Sequence, residues 1–185
     1  MKRLLWLFVL LMAVGCNDES AAKDAENVTK GERQEGKTTE LVEEEKETES
    51  NEALITTYSE AMAPLLASYG NEANRISTLF TLAGEEPLII MEQAFKDELE
   101  GVFDEFRMMR TEMTLMDVPP ALEEVHALEL EAVDLMLLCG EKLIEGVEDF
   151  NPALIGEGTE YMNLANAKLT EATDLLLEIQ EELNF

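Results

Sequence analysis

Three prolines constrain this chain more than any other feature. Pro87, Pro120 and Pro152 stand 33 and 32 residues apart, within Gly84-Glu85-Glu86-Pro87, Asp117-Val118-Pro119-Pro120 and Asp149-Phe150-Asn151-Pro152. Proline lacks the N–H that a helix interior needs, but the first helical position leaves that N–H unbonded anyway, so each proline reads as a helix start. They divide the chain beyond about residue 51 into four segments of similar length. At about 1.5 Å per residue, a 30-residue segment is a rod about 45 Å long.

Within the segments, apolar residues step by three or four, the interval that gathers side chains on one helical face. The second segment carries Leu88, Met91, Phe95, Leu99, Val102, Phe106, Met109, Met113 and Met116 on such a stripe. The third carries Leu122, Val125, Leu128, Ala132, Met136, Cys139, Leu143, Val147 and Phe150, widened by Val133, Leu137 and Ile144, and is expected to be the most buried. The fourth runs through Leu154, Gly158, Met162, Ala165, Leu169, Ala172, Leu176, Ile179 and Leu183.

In the first segment, Leu54, Tyr58, Met62, Leu65, Tyr69, Ala73, Ile76, Phe80 and Ala83 share one side, interrupted by Pro64 and Gly70. An internal proline removes a hydrogen bond and kinks or breaks a helix, so a bend near Pro64 or two helices meeting near Gly70 is expected. The expected fold is all-α: an antiparallel four-helix bundle with a kinked or broken first helix. A helical-repeat array is the rival, but no motif recurs beyond the prolines.

Residues 17–52 hold 13 acidic and 5 basic side chains, and their only aliphatics larger than Ala are Val28, Leu41 and Val42. So little apolar surface cannot offset the entropy lost on ordering, and a disordered acidic tether spanning about 30 to 36 Å is expected. At most a transient helical turn is expected over Glu43 to Glu49. At the front, Lys2-Arg3 leads into the apolar run Leu4 to Val14, 11 residues long. That reaches roughly 16 Å, short of the ~30 Å hydrocarbon core, so it reads as a secretion signal.

Gly15 directly before Cys16 resembles the lipobox of bacterial lipoproteins, although Ala13 stands where Leu is usual. The resemblance implies a signal peptide over 1–15, cleavage before Cys16 and a diacylglycerol on its sulfur. The cell membrane would then be a partner through the lipid, with the protein on its extracytoplasmic face. The expected organisation is signal peptide 1–15, lipidated Cys and tether 16–50, and helical domain 51–185. With Cys16 lipidated, Cys139 has no intrachain partner and is expected to be buried as a small hydrophobe.

The chain has 41 acidic and 13 basic side chains, a formal charge of −28. Phosphate binding depends on Lys and Arg, so nucleic acid is excluded and an anionic membrane surface is a poor direct ligand. Residues 53–185 alone carry 28 acidic and 6 basic side chains, or 6 − 28 = −22. Such a charge repels itself. It fits a salty, screened habitat, a basic partner, or weak collection of cations.

Glu123-x-x-His126 has the spacing of di-iron carboxylate bundles, with Glu129 a further turn along the same face. Those bundles need two such motifs, and this chain has one His. Two readings stay open: a mononuclear metal site of Glu123, His126 and Glu129, or an edge histidine whose solvated acidic neighbours raise its pKa. Met108, Met109, Met113 and Met116 offer soft thioether ligands, but three of them continue the core stripe. Gly156-Glu157-Gly158 reads as close packing or fraying. No nucleophile elbow, phosphate loop or Ser-x-x-Lys motif occurs, so neither an enzyme nor a bound cofactor is expected. The expectation is a non-catalytic binding or interaction module of unidentified ligand, its partner an envelope or extracellular protein or another cell-envelope component. The alternative is a cation-binding or metal-delivery lipoprotein.

Overall fold

The computed structural model describes the backbone of residues 40–182 and the side chains of 53–182. The signal peptide, Cys16 and the tether as far as residue 39 lie outside these described residues. The chain divides into two compact units at Thr56/Thr57. Of the first unit, the described part is helical from Glu40 onward. Helix thus occupies the stretch after Glu40 where at most a transient turn was expected.

Four helices and two short 3-10 turns account for the described elements. The helices are α1 (Glu40–Glu85), α2 (Gln93–Thr114), α3 (Glu123–Glu148) and α4 (Pro152–Glu182), and no strand occurs among the described residues. The fold is all-α. No described helix is long and apolar enough to cross a membrane.

The prolines act as helix starts with one refinement. Pro152 opens α4 directly, whereas Pro87 and Pro120 open the 3-10 turns Pro87–Met91 and Pro120–Leu122, after which α2 and α3 begin. A 3-10 turn tolerates the missing N–H as well as an α-helix does, and its tighter winding re-aims the chain. The expected break in the first helix does not occur. Helix α1 runs without interruption through Pro64 and Gly70. Pro64 removes only the single bond to the Glu60 carbonyl, and the buried side chains of Met62, Tyr69 and Ile76 on either side hold the flanking turns to their neighbours.

In the second unit, the seams follow the expected stripes through the middle of each helix. On α2, Phe95, Leu99, Val102, Phe106, Met109 and Met113 are buried, joined by Phe103. Helix α3 carries the most buried positions of the four, as its wide stripe implied. Each large side chain fully withdrawn from water contributes about 1.5–3 kcal/mol, so this seam dominates the stability of the unit.

Side chains of successive helices contact one another. Phe80 with Phe95, Arg75 with Glu98 and Tyr69 with Phe106 pair α1 with α2, their numbers rising on one helix as they fall on the other. Arg110 with Asp134 pairs α2 with α3, and Lys168–Glu131 and Lys142–Glu157 pair α3 with α4. These ion pairs are solvent-exposed and individually worth little.

Helices α3 and α4 approach through small residues. The buried positions of α4 are Gly158, Ala165 and Ala172, spaced by seven. A Cβ on Gly158 would stand 2.7 Å from Leu143 Cδ2, and one on Gly140 of α3 would stand 2.5 Å from Phe103 Cδ1. Gly158 is therefore a packing glycine, in keeping with the first of its two expected roles.

Candidate functional site

Three buried polar side chains of the second unit converge where α1 lies against α3. Tyr58, His126 and Glu129 are 6%, 8% and 3% exposed. Position 58 belongs to the apolar side of α1; positions 126 and 129 are three apart on α3 and share one face. The Tyr58 hydroxyl donates to Glu129 Oε2 at 2.8 Å and lies 2.9 Å from His126 Nδ1. The Tyr58 and His126 rings also meet edge to face at 5.7 Å. Met113, the last buried residue of α2, closes the cluster with a backbone hydrogen bond to the imidazole.

Tyr58 brings one hydrogen to two contacts, so the line Glu129–Tyr58–His126 Nδ1 needs one further proton to bond both. Placed on Nδ1, it makes an imidazolium that donates to Tyr58, while Tyr58 donates to a Glu129 carboxylate. Placed on Glu129, it reverses the line, and every group is neutral. Burial favours the neutral arrangement at both ends. It pushes the Glu129 carboxyl up to about 7 against the opposing hydrogen bond from Tyr58. It lowers the His126 imidazole against the opposing Met113 bond. Burial first, then the charge of Glu129 and its hydrogen bond, also raise the Tyr58 phenol. The cluster is a bolt between α1 and α3 whose bonding depends on one proton.

This corrects the expectation for His126. Its neighbours Glu123 and Glu124 are solvated, but Glu129 is buried, and desolvation lowers the imidazole pKa where solvated acids were expected to raise it. Of the three candidate metal ligands, the structure brings His126 and Glu129 together through Tyr58 and leaves Glu123 exposed. Among the described residues, no group of three or more His, Cys, Asp and Glu side chains is placed to hold a metal ion. The methionines divide as well. Met109 and Met113 are in the core, Met116 is half-buried and Met108 faces outward.

Two further buried groups lie elsewhere in the core. Cys139 is buried and unbridged, and burial pushes its thiol up to about 12 against a hydrogen bond with the Met162 backbone. The Tyr69 hydroxyl, packed edge to face on Phe106, has no hydrogen-bond partner, and burial raises it. Neither group is activated. A thiol held protonated at neutral pH is a poor nucleophile.

Sequence reasoning missed the surface at the helix ends. Leu88 and Met91 were placed on the buried stripe of the second segment, yet they are 76% and 58% exposed. No residue of Pro87-Leu88-Ile89-Ile90-Met91 is buried. The 3-10 winding spaces side chains by three per turn, so the stripe of α2 does not continue backward through it. Phe150, assigned to the third stripe, is likewise half exposed and adopts φ 52°, the left-handed region. There it follows the α3 cap at Asp149, with Asn151 N–H donating to the Gly146 carbonyl at 2.8 Å. That bond closes a Schellman motif, in which glycine is the usual residue at the position of Phe150. The signal available in the sequence was Asp149-Phe150-Asn151-Pro152 itself, a helix stop that throws its aromatic residue off the stripe.

Comparison of the chain with protein families, with curated proteins and with solved structures finds no match.

Proposed function

We propose that the chain is a membrane-anchored extracytoplasmic lipoprotein whose helical part is a non-catalytic binding module for another protein. The observation that carries the binding reading is Pro87–Met91, five consecutive apolar residues of which none is buried. A monomeric domain ordinarily folds such a run inward; here Ile89 and Ile90 are half-buried while Leu88 and Met91 stand exposed, which favours a contact surface. The anchor reading draws on Lys2-Arg3, the short apolar run and Gly15-Cys16. The partner is an envelope or extracellular protein, and the acyl chain keeps the module within its reach.

The architecture within this proposal is an antiparallel four-helix bundle with α1 bent at Pro64. The opposite senses of the successive helix pairs support the bundle, and the hydrogen bond absent at Pro64 supports the bend.

Both parts are testable in cells. Mass spectrometry of the extracted protein is expected to find its N-terminus at a diacylglycerol-bearing Cys16, and Cys16→Ser is expected to release it from the membrane fraction. A photo-crosslinker at position 88 is expected to capture a discrete partner in intact cells. An unmodified thiol at Cys16, or no crosslink from any exposed position, ends the respective half of the reading.

A further inference from the structure

The binding-module reading above leaves open where the partner docks and what it carries; the inference here rests on that reading and specifies both. Arg110 pairs with Asp134, and Phe103 lies against Gly140, so positions fall along α3 as they rise along α2. Continued in that register, the start of α2 is level with the end of α3. Leu88 and Met91 therefore occupy the same end of the unit as Phe150. The turn Pro87–Met91 also contacts α3 directly.

Phe150 adds an independent argument. An aromatic residue in left-handed backbone costs about 1–2 kcal/mol where glycine would cost almost nothing. Its ring is 51% exposed, so core packing does not account for it. Strain of this kind, at an exposed apolar residue beside other exposed apolar residues, belongs with contact surfaces.

Charge selects the occupant. Glu85, Glu86 and Glu92 flank the turn, Glu148 and Asp149 precede Phe150, and all five are exposed. Every ion pair among the described residues lies elsewhere, on Glu72, Glu98, Asp104, Asp134, Glu145, Glu157, Glu131 or Glu171. The nearest basic residue along the chain is Lys96, one turn into α2. A second copy would set these five carboxylates against themselves. An anionic phospholipid surface would meet the same repulsion. An apolar surface rimmed by unneutralised carboxylates is complementary to an apolar stripe rimmed by cations.

We propose that the end of the helical unit bearing Leu88, Met91 and Phe150 docks an amphipathic segment of another protein whose apolar side chains are flanked by Lys or Arg.

The test uses the full chain in phosphatidylcholine nanodiscs, with empty nanodiscs subtracted, titrated at physiological salt with three fluorescent peptides. One is a Leu/Lys peptide of helical period, one has the same composition scrambled, and one is its Leu/Glu counterpart. The Leu/Lys peptide is expected to bind saturably, one per chain. The double variant Leu88→Ser/Met91→Ser, and separately Phe150→Ser, are expected to weaken it about tenfold. Leu115→Ser, at a residue 80% exposed beyond the other end of α2, is expected to leave it unchanged. All four substituted side chains are solvent-facing, and circular dichroism checks that the helices persist.

Equal binding of the scrambled peptide overturns the proposal, because charge alone would suffice. So does equal weakening by Leu115→Ser. A homodimer crosslinked through position 88 assigns the surface to a second copy. Burial of an environment-sensitive dye at that position by phosphatidylglycerol vesicles assigns it to lipid. Either result overturns the proposal. Failure of the peptides while cellular crosslinking still captures a partner overturns the cationic docking site and leaves the binding-module reading standing.

Discussion

Glu129 is a carboxyl group kept from water, and its protonation state decides which way the Tyr58 hydroxyl points. A carboxyl whose pKa is raised on folding contributes stability that is complete below its unfolded value of about 4.5 and is lost as pH rises through about 7. A histidine whose pKa is lowered contributes in the opposite sense. Its stabilisation is present above the unfolded value of about 6.5 and is lost as pH falls through the folded one. Glu129→Gln places an amide where the protonated acid stood, able to donate to the Tyr58 oxygen at any pH. The expected outcome is a gain of about 1–3 kcal/mol over the parent at pH 8 and little change at pH 4.5, read from urea unfolding at both values. A gain independent of pH would show that folding does not shift the Glu129 carboxyl. Tyr58→Phe is expected to cost about 1–3 kcal/mol, because it leaves both Nδ1 and the carboxyl of Glu129 buried without a partner.

At the scale of the helices, small residues decide how closely neighbours pack and helix ends decide what is displayed. The ring of Phe103 fills the space beside Gly140, and Phe103 is fully buried, so the ring has nowhere to retreat. Gly140→Ala would raise intrinsic helix propensity, yet it is expected to destabilise the unit by about 1–3 kcal/mol, because overpacking outweighs propensity. A rise in Tm would mean that the α2–α3 seam yields easily. Phe150→Gly is expected to act in the other direction, raising stability by about 1 kcal/mol as the left-handed position receives its preferred residue. The same variant is expected to bind the Leu/Lys peptide more weakly. Stability and display are thus opposed at one residue of the α3–α4 turn.

For the whole chain, charge is the main lever. The acidic side chains outnumber the basic ones 41 to 13. Most carboxylates of the described surface have no cation beside them, and the six ion-paired or free basic side chains of residues 53–185 cannot change that balance. Mutual repulsion of this kind is long-range, and salt shortens its reach to about 8 Å at physiological ionic strength. Thermal melts from 0.02 to about 1 M NaCl are therefore expected to show a continuous rise in Tm, with the steepest gain at low salt. A flat profile would mean that the carboxylates are spaced too widely to interact.

The sequence by itself determined that the described part of the chain is all-α, where its helices divide and which stripe of α2 and α3 turns inward. These follow from proline geometry and from the 3.6-residue turn, which act between near neighbours along the chain. Only the tertiary structure decided that Tyr58 meets His126 and Glu129, residues 68 and 71 positions away, and that desolvation reverses the direction expected for the histidine. Tertiary packing likewise kept α1 one uninterrupted helix across Pro64 and Gly70, left Leu88 and Met91 outside and drew α4 in through its smallest residues. The physical reason is the same in each case. Burial depends on what arrives from elsewhere in the chain, and no local pattern encodes which neighbour will arrive.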